Sequence, residues 1–375
     1  MQRHYLDHAS TSPLRPEAAA AIRDWLDGPA ADPGRVHAEA RAVRDAIERA
    51  REQVAALLAV RPRQVVFTSG ATEAVHTAVW AAMWDRPGGA VLCAGVEHSS
   101  VRESSARLAP LVELPVDRLG RVDPAGVDAA LGHAGRAASL VHCQWANHEV
   151  GTVQPVEEVV ERCRRAGVPV HVDAAAACGH LEIGLDDGPE FVSVSAHKLG
   201  GPPGVGALVL GRSRRVAPLL VGGQQERGRR AGMENVCGIL GFGAAAAALI
   251  GDTLGEEAAA ARAHTARLVD AALAVPGTVQ VGDPDRRLPH LVCIGVEGVE
   301  AEPVLLGLDR AGIAAHSGSA CASEALEPSP VLAAMGADPN HSLRLSVGWS
   351  TSGEDVDAFA GAFGAVVASL RELRA

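Results

Sequence analysis

The sequence predicts an α/β protein: a large domain with a mostly parallel, seven-stranded sheet, and a second, smaller α+β domain. Seven short apolar runs alternate with longer amphipathic stretches over the first two-thirds of the chain, which is the pattern of strand-helix-strand units. Several of these runs are apolar on both faces, as is typical of strands that helices cover on both sides. The length of 375 residues favours two to three domains of roughly 150 residues each.

The predicted large domain begins with a long helix over 35–60, which is rich in Ala, Glu and Arg and ends at Arg61-Pro62. Shorter helices are predicted over 72–84, 98–108, 123–131 and 154–166. The seven predicted strands are, in chain order, QVVFTS (64–69), AVLCAG (90–95), LVELP (111–115), ASLVHCQ (138–144), PVHVD (169–173), FVSVSA (191–196) and GALVLG (206–211).

The last third of the chain has a different pattern. A long helical region covers about 234–275 and ends at Pro276-Gly277. It is followed by strands near 278–282, 290–296 and 342–347, helices near 302–311 and 353–373, and a Gly/Ser/Cys loop at 317–323. We therefore expect a large domain over 15–252 and a small domain made of 1–14 and 253–375.

Charge and cysteine content exclude several classes of protein. The 34 basic and 45 acidic residues give a net charge of −11, which repels nucleic acid and anionic membranes. The seven cysteines are scattered and form no CxxC pair, so neither a disulfide framework nor a zinc site fits. The N-terminus has no apolar signal core, and the longest apolar stretch, 242–250, is too short to cross a bilayer. We expect a cytoplasmic protein with reduced thiols.

Lys198 is the sharpest local feature, because it follows the strand FVSVS and precedes the Gly/Pro loop LGGPPG. A lysine held by apolar walls at a strand end has a lowered pKa, and its neutral amine can form a Schiff base with an aldehyde cofactor. The alternative is a loop lysine that faces solvent.

Two other strand ends carry groups that suit the same cofactor. The turn TSGATE (68–73) lies between a strand and a helix, where N–H groups and hydroxyls converge on a phosphate; the alternative is a plain helix N-cap. Asp173 ends the strand PVHVD, where open α/β sheets bind ligands, and could pair with a protonated pyridine nitrogen. The alternative interpretation of Asp173 is also an N-cap, for the segment that follows it.

Four further residues have both a functional and a structural interpretation. Cys321 lies among small residues in HSGSACASE, which favours an accessible thiol over a buried one. His98 could stack on a flat cofactor or shuttle protons, or be a cap or core group. Arg344 could hold a substrate carboxylate or face water at a sheet edge. Asn147 has the same ambiguity.

Over nearly the whole chain the sequence resembles the cysteine desulfurases, which are pyridoxal-phosphate enzymes of the class V aminotransferase group. The resemblance rests on YLDHASTSP (5–13), FTSGATEA (67–74), WANHEVGTVQP (145–155), SVSAHKLGGPPGVGAL (193–208) and SGSACASEALEPSPVL (317–332). It implies a fold-type I enzyme that binds pyridoxal 5′-phosphate, forms a homodimer and acts on L-cysteine.

The resemblance also implies roles for single residues. Lys198 would carry the Schiff base, Asp173 would pair with the pyridinium nitrogen, and His98 would stack on the ring and assist proton transfers. Cys321 would be the nucleophile that takes the sulfur. The phosphate would be held by Thr72, Ser195 and His197 with the Ala71 backbone nearby, and the substrate carboxylate by Asn147 and Arg344.

Three positions depart from the family pattern. Ala176 stands where the family usually has a Gln that donates to the 3-oxygen of the ring. Met233 stands where a Thr reaches the cofactor phosphate of the partner subunit, and His148 follows Asn147 where many relatives have a second Asn.

The resemblance implies conversion of L-cysteine to L-alanine, with the sulfur held as a Cys321 persulfide and passed to an acceptor protein. That acceptor would serve iron-sulfur cluster assembly, tRNA thiolation or a biosynthetic pathway. The alternatives are a carbon-sulfur lyase or aminotransferase of the same fold that does not use Cys321, and a non-catalytic sulfur-carrier scaffold. The reaction product distinguishes the lyase from the desulfurase, since a lyase yields pyruvate and a desulfurase yields alanine.

Overall fold

The computed structural model describes residues 2–28, 31–133, 138–185, 188–212, 216–317 and 328–373. The strands are β1 (His4–Tyr5), β2 (Val65–Thr68), β3 (Val91–Ala94), β4 (Leu111–Leu114), β5 (Leu140–His142), β6 (Val170–Asp173), β7 (Phe191–Ser195), β8 (Gly206–Leu210), β9 (Thr278–Val281), β10 (Leu291–Val296), β11 (Ile313–Ala314) and β12 (Ser342–Ser346). The helices are α1 (Pro16–Leu26), α2 (Ala38–Leu57), α3 (Ala71–Asp85), α4 (Ser99–Leu108), α5 (Pro124–His133), α6 (Val156–Ala166), α7 (Gln225–Gly228), α8 (Val236–Ala247), α9 (Thr253–Leu273), α10 (Ala301–Arg310), α11 (Pro330–Ala334) and α12 (Gly353–Glu372).

The large sheet has seven strands in the order β2-β8-β7-β6-β5-β3-β4, so the predicted mostly parallel, seven-stranded sheet is confirmed. The pairs between β7 and β4 are all parallel, whereas β8 is antiparallel to both β7 and β2. Because β8 is antiparallel to both of its neighbours, β2 and β7 run in the same direction. The carboxyl ends of β2, β3, β5, β6 and β7 therefore lie along one edge, where ligands bind in open α/β sheets.

Small residues let the helices approach the sheet and one another closely. Helix α3 packs against β7 and β8, and α1 and α2 pack against α8. At Gly243 in α8, an added Cβ would lie 2.7 Å from the Ala50 Cα of α2. That separation is far below a normal van der Waals contact, so this helix pair requires glycine at the crossing.

Two predicted helices differ from the structure at their boundaries. The first begins at Ala38 instead of 35, because His37 is its N-cap and accepts the N–H of Ala40. The helical region predicted over 234–275 is two helices, α8 and α9, and Gly251 between them has φ +84°. Glycine adopts this left-handed conformation without steric cost, so the chain turns there.

A second hydrophobic core lies in the C-terminal third. The sheet β12-β10-β9 is antiparallel, α9 and α10 pack against its strands, and α12 packs against those two helices. Phe359 and Phe363 of α12 stack with ring centroids 4.9 Å apart. Leu6 belongs to this core too, and β1 pairs with β11. The boundaries 15–252, and 1–14 with 253–375, stay a prediction. No helix in the described part of the chain is both long and apolar enough to cross a membrane.

Candidate active site

A cavity of about 500 Å³ lies at the carboxyl edge of the large sheet. Its walls include residues from the turns after β2, β3, β6 and β7, and from β12. The structure brings together eight of the predicted site residues there: Ala71, Thr72, His98, Asp173, Ser195, His197, Lys198 and Arg344.

The turn after β2 forms the part of the cavity that suits an anion. Helix α3 begins at Ala71, and its N-cap, Gly70, has no side chain to accept the first N–H groups, which leaves them available to an anion. An added Cβ at Gly206 would lie 2.5 Å from Val194 O and 2.7 Å from Gly70 Cα. Glycine at the start of β8 therefore lets this turn lie directly against the sheet.

Lys198 ends a short 3₁₀ turn that follows β7. Its Nζ donates to Ala9 O at 2.5 Å and to Ser10 O at 3.1 Å. Burial lowers the pKa of the Lys198 amine to about 8, and the Arg344 guanidinium acts in the same direction. The amine is thus much closer to its neutral form at physiological pH than a lysine in water.

One carboxylate oxygen of Asp173 accepts hydrogen bonds from the protein, and the other is available to a ligand. Its Oδ1 accepts from Ser193 Oγ at 2.9 Å and from Ala175 N at 3.0 Å. Within the described ranges no residue donates a hydrogen bond to its Oδ2. The first contacts orient the carboxylate, and the second oxygen can accept from a ligand in the cavity.

Glu97 is a buried carboxyl that sequence reasoning missed. Its Oε1 accepts from Gln144 N at 2.7 Å, and its Oε2 is buried without a partner among the described residues. Burial and the charge of Asp173 raise the pKa of Glu97 to about 8. Its position after a strand and directly before His98 was the available signal.

His98 is both the N-cap of α4 and part of the cavity wall, so the two interpretations of this histidine coexist. Its Nδ1 accepts the N–H of Ser100 at 3.1 Å. Burial and the neighbouring His148 lower the pKa of His98 to about 4. The two rings meet edge to face with centroids 4.9 Å apart.

Arg344 is a buried guanidinium with one unused donor. It donates to His148 O at 2.9 Å, Asp7 Oδ1 at 3.0 Å and Ser10 Oγ at 2.6 Å. Its Nε is buried and, in the part of the chain described, has no partner. A carboxylate ligand would satisfy this donor.

Asn147 is fully buried and is not among the residues that line the cavity. Its Nδ2 donates to Val96 O at 3.0 Å, and its Oδ1 accepts from the N–H groups of Glu149 and Val150, each at 2.8 Å. These contacts stabilise the turn that places His148 on the cavity wall. Direct contact of Asn147 with a substrate stays a prediction.

Ala176 and Met233, two of the three departures from the family pattern, lie at the cavity or beside it. Ala176 is part of the cavity wall. Met233 is 64% exposed and lines a neighbouring cavity of about 140 Å³, which shares Ser69 and Gly204 with the larger one. Both positions are therefore placed where a longer or more polar side chain would change the cavity.

Cys321 lies outside the described residues. His316, five residues before it, lines the cavity, and Ser317 O accepts from Ser342 Oγ at 2.9 Å. The other six cysteines are Cys93, Cys143, Cys163, Cys178 and Cys293, all buried, and the partly buried Cys237. Burial raises the pKa of the thiols of Cys93 and Cys178 to about 12, which keeps them protonated and unreactive at neutral pH.

These groups fit an aldehyde cofactor that carries a phosphate and a basic ring nitrogen. The cavity combines an amine with a lowered pKa, a carboxylate with a free oxygen and a helix N-terminus without a capping side chain. An amine, an acid and an anion-binding turn are the elements by which proteins bind pyridoxal phosphate.

Comparison with known proteins agrees with this chemistry. The family model of the class-V aminotransferases matches residues 4–359. A cysteine desulfurase of Cereibacter sphaeroides is 38% identical over 100% of this chain and 98% of its own length. The cysteine desulfurase IscS of Dictyoglomus turgidum is 36% identical over 94% of this chain and 91% of its own.

Solved structures show the same fold. A NifS-like protein superposes with a TM-score of 0.90 at 26% identity, covering 98% of this chain and 100% of its own. SspA in complex with cysteine superposes with a TM-score of 0.81 at 26% identity, covering 93% of this chain and 100% of its own. The chain therefore belongs to the class-V aminotransferase family and, within it, to the pyridoxal-phosphate-dependent cysteine desulfurases.

Proposed function

We propose that this cysteine desulfurase converts L-cysteine to L-alanine in the cavity at the sheet edge and holds the sulfur as a persulfide on Cys321. The observation that supports the proposal most is that Lys198, Asp173 and His98, which are far apart in the sequence, line one cavity. This combination also argues against the non-catalytic scaffold, because a sulfur carrier needs neither the lysine nor the acid.

The cofactor would be pyridoxal 5′-phosphate, attached to Lys198. When bound, it supplies an aldehyde that condenses with amines and a ring that withdraws electrons from the substrate Cα. Asp173 Oδ2 would accept a hydrogen bond from the protonated ring nitrogen, and the His98 ring would stack on the cofactor. The phosphate would lie at the start of α3, held by the Ala71 backbone with Thr72, Ser195 and His197.

Lys198 would also move the substrate's proton. Whenever Lys198 is not bonded to the cofactor, the carbonyls of Ala9 and Ser10 would hold its Nζ, as they do in this structure. A pKa of about 8 makes this amine a suitable general base for the Cα proton and, once charged, a suitable acid to return it.

Arg344 would bind the substrate carboxylate. Its guanidinium is held by Asp7 and Ser10, so it does not need to reorganise, and its Nε lacks a partner in the described structure. Asn147 would support the same site from behind through its hydrogen bonds to the turn. Charge-assisted hydrogen bonds of this type also orient the substrate.

Cys321 would take the sulfur. Its thiolate attacks the substrate sulfur, the S–S bond forms as the C–S bond breaks, and the electron pair of the broken bond goes to the carbon, which takes up a proton. The net reaction is L-cysteine plus thiol to L-alanine plus persulfide, without any external oxidant. Cys321 is five positions further along the chain than His316, which lies at the cavity wall, and five residues of chain span at most about 18 Å.

The persulfide would then pass to an acceptor protein for iron-sulfur cluster assembly, tRNA thiolation or a biosynthetic pathway. We further propose a homodimer, with the exposed apolar residues Leu220, Val221 and Met233 facing the second copy, since Val221 is 78% and Met233 64% exposed. A cytoplasmic location stays a prediction.

The test is incubation of the purified protein with pyridoxal 5′-phosphate, L-cysteine and dithiothreitol, with alanine, sulfide and pyruvate all quantified. Equal amounts of alanine and sulfide are expected. The Cys321→Ser protein should bind cysteine with the same change in cofactor absorbance but make almost no alanine, and Cys237→Ser is the matched control with normal turnover. Pyruvate as the main product, or full alanine production by Cys321→Ser, would favour the carbon-sulfur lyase. A protein that binds no cofactor would favour the scaffold.

A further inference from the structure

His180 is a partly buried histidine beside Lys198 to which the proposed function gives no role. Its Nε2 lies 3.1 Å from the backbone carbonyl oxygen of Lys198. A carbonyl oxygen only accepts hydrogen bonds, so Nε2 carries the proton of this ring. Burial lowers the pKa of His180 to about 3, which keeps the ring neutral at physiological pH. His180 is therefore a neutral donor to the backbone of Lys198.

A close approach of two turns brings His180 to this carbonyl. The chain turns after β6 at Gly179, where φ is +82°, and an added Cβ there would lie 2.5 Å from Leu199 Cβ. Two side-chain carbons do not pack so closely, so glycine is required for the turn to lie against the residue that follows Lys198. The contact between His180 and Lys198 is thus built into the backbone of two turns at the sheet edge.

A second histidine, His290, restricts the ring of His180 by stacking on it. The two ring centroids are 3.5 Å apart and the ring planes meet at 16°. His290 directly precedes β10, is 2% exposed, and is anchored by its carbonyl oxygen, which accepts from Val347 N at 2.9 Å. Its Nδ1 is buried and has no partner in the part of the chain described. The stack, rather than a hydrogen bond from Nδ1, is therefore the contact that this ring supplies.

These contacts hold Lys198 at both of its ends. Its Nζ donates to Ala9 O and Ser10 O, and its carbonyl oxygen accepts from His180. Lys198, His180 and His290 border a small cavity of about 10 Å³, which has room for about one water molecule, so their side chains have little space to move. Because the peptide group is planar, a fixed carbonyl also restricts the direction in which the lysine side chain leaves the backbone.

We propose that His180, held by the stacked ring of His290, is a positioning residue that aligns Lys198 for its reactions with the cofactor and the substrate. This inference rests on the proposed function, in which Lys198 carries the cofactor and moves the Cα proton. His180 itself transfers no proton in this role, because it donates to a backbone carbonyl. A displacement of about 1 Å can slow a reaction about 10²-fold, so a looser hold on this carbonyl should slow the steps that need the amine. Binding of the substrate carboxylate at Arg344 should not change.

The test compares the wild-type protein with His180→Phe, His180→Gln and the control His264→Phe, which changes a histidine of α9 that lines neither cavity. His180→Phe keeps a ring for the stack but has no donor, whereas His180→Gln keeps an amide N–H and has no ring. His180→Phe should slow both the attachment of pyridoxal phosphate to the apo-protein and kcat for alanine formation by up to about tenfold, as for loss of a neutral hydrogen bond. KM for cysteine should stay the same, and α-deuterated cysteine should show a larger isotope effect on kcat. His180→Gln should recover most of both rates, and His264→Phe should equal the wild type.

Variants of His290 test the stack separately. His290→Ala should cause the same loss of both rates as His180→Phe, and His290→Phe should recover most of them, because a flat ring is restored. Side-chain ¹⁵N spectra of the apo-protein give a readout that does not depend on activity. The Nε2–H signal of His180, assigned by its absence from His180→Phe, should be sharp in the wild type and in His290→Phe and broadened in His290→Ala.

The proposal is wrong if His180→Phe attaches the cofactor as fast as the wild type, or if it raises KM while kcat stays the same. It is also wrong if His180→Gln is no faster than His180→Phe, or if His290→Phe is as slow as His290→Ala. Circular dichroism checks the fold of each variant, and the His290 variants decide the question if a His180 variant does not fold. Failure of the proposed function has a separate signature, because the wild-type protein would then make no alanine from cysteine while the control His264→Phe behaves in the same way.

Discussion

Replacing Glu226 tests a buried ion pair that supports the anion-binding turn. Arg51 of α2 and Glu226 form two contacts of 2.7 and 2.8 Å, with only 5% and 3% of their side chains exposed. Glu226 Oε2 also accepts from Phe67 N at 2.9 Å, and Arg51 donates to Val65 O at 3.0 Å. The pair thus joins α2, the strand β2 that leads into the turn, and α7.

Glu226→Ala should lower the free energy of unfolding by about 3–5 kcal/mol, which is typical when one partner of a buried ion pair is removed. The Arg51 guanidinium would keep only Glu48 as an acidic partner, at 3.0 Å, and Phe67 N would lose its acceptor. Alanine gives no compensating relief, because φ at Glu226 is +49° and only glycine adopts that conformation freely. Glu226→Gln should cost less, since its amide oxygen can still accept from Phe67 N.

Urea unfolding followed by circular dichroism measures this loss, and Arg227→Ala is the matched control. Arg227 lies in the same turn with φ +61°, and its side chain is 47% exposed in a pair with Glu48, so its loss should cost at most about 1 kcal/mol. The double variant Arg51→Met, Glu226→Leu should recover most of the stability, because no uncompensated charge is left buried. If Glu226→Ala were no more costly than Arg227→Ala, the pair would contribute nothing net and the reasoning would be refuted.

Three further outcomes are expected. Ala176→Gln or Met233→Thr should slow cofactor loss on dialysis, because each restores a donor that relatives use and a neutral hydrogen bond is worth about 0.5–1.5 kcal/mol; equal loss from wild type and both variants would show that these positions do not limit binding. Attachment of pyridoxal phosphate to the apo-protein should become faster as pH rises through about 8, the lowered pKa of Lys198, because only the neutral amine reacts. The rate is followed by absorbance, and a rate that does not change between pH 6.5 and 9.5 would contradict this prediction. Arg344→Gln should raise KM for cysteine roughly 10- to 150-fold, for a charged hydrogen bond worth about 1.5–3 kcal/mol, and an unchanged KM would move carboxylate binding to another residue.

The large sheet was predictable from the sequence because its central strands carry apolar residues on both faces. In β7 and β8 every residue is buried, so their apolar runs contrast with the amphipathic helices between them. The short strands β1 and β11 were missed, since two residues each leave no periodic pattern. The division of the helical region predicted over 234–275 into α8 and α9 was not predicted, because Ala-rich sequence continues on both sides of Gly251 and one glycine is a weak signal inside a helical pattern.

The site residues that could be predicted are those at the carboxyl ends of strands, because the strand order alone determines which of them lie close together. Thr72 and Lys198 follow strands of one sheet and Asp173 is the last residue of another strand of it, and parallel strands bring their carboxyl ends to the same edge. The burial of Asn147 and the contact of His148 with His98 were not predictable in this way. They depend on how the turn after β5 lies against the turn after β3, which is a matter of three-dimensional packing that sequence spacing does not encode.

Burial shifts the pKa values of titratable groups in and beside the cavity, and the local charge therefore changes near pH 8. His98 and Glu97 are buried and neutral at pH 7, since the pKa of the first is lowered to about 4 and that of the second is raised to about 8. The pKa of Lys198 is also about 8. As pH rises through this value, Lys198 loses a positive charge while Glu97 gains a negative one, so the local charge falls by up to two. The same step that makes the amine reactive therefore weakens the attraction for an anionic phosphate, and cofactor attachment and cofactor affinity are expected to change in opposite directions.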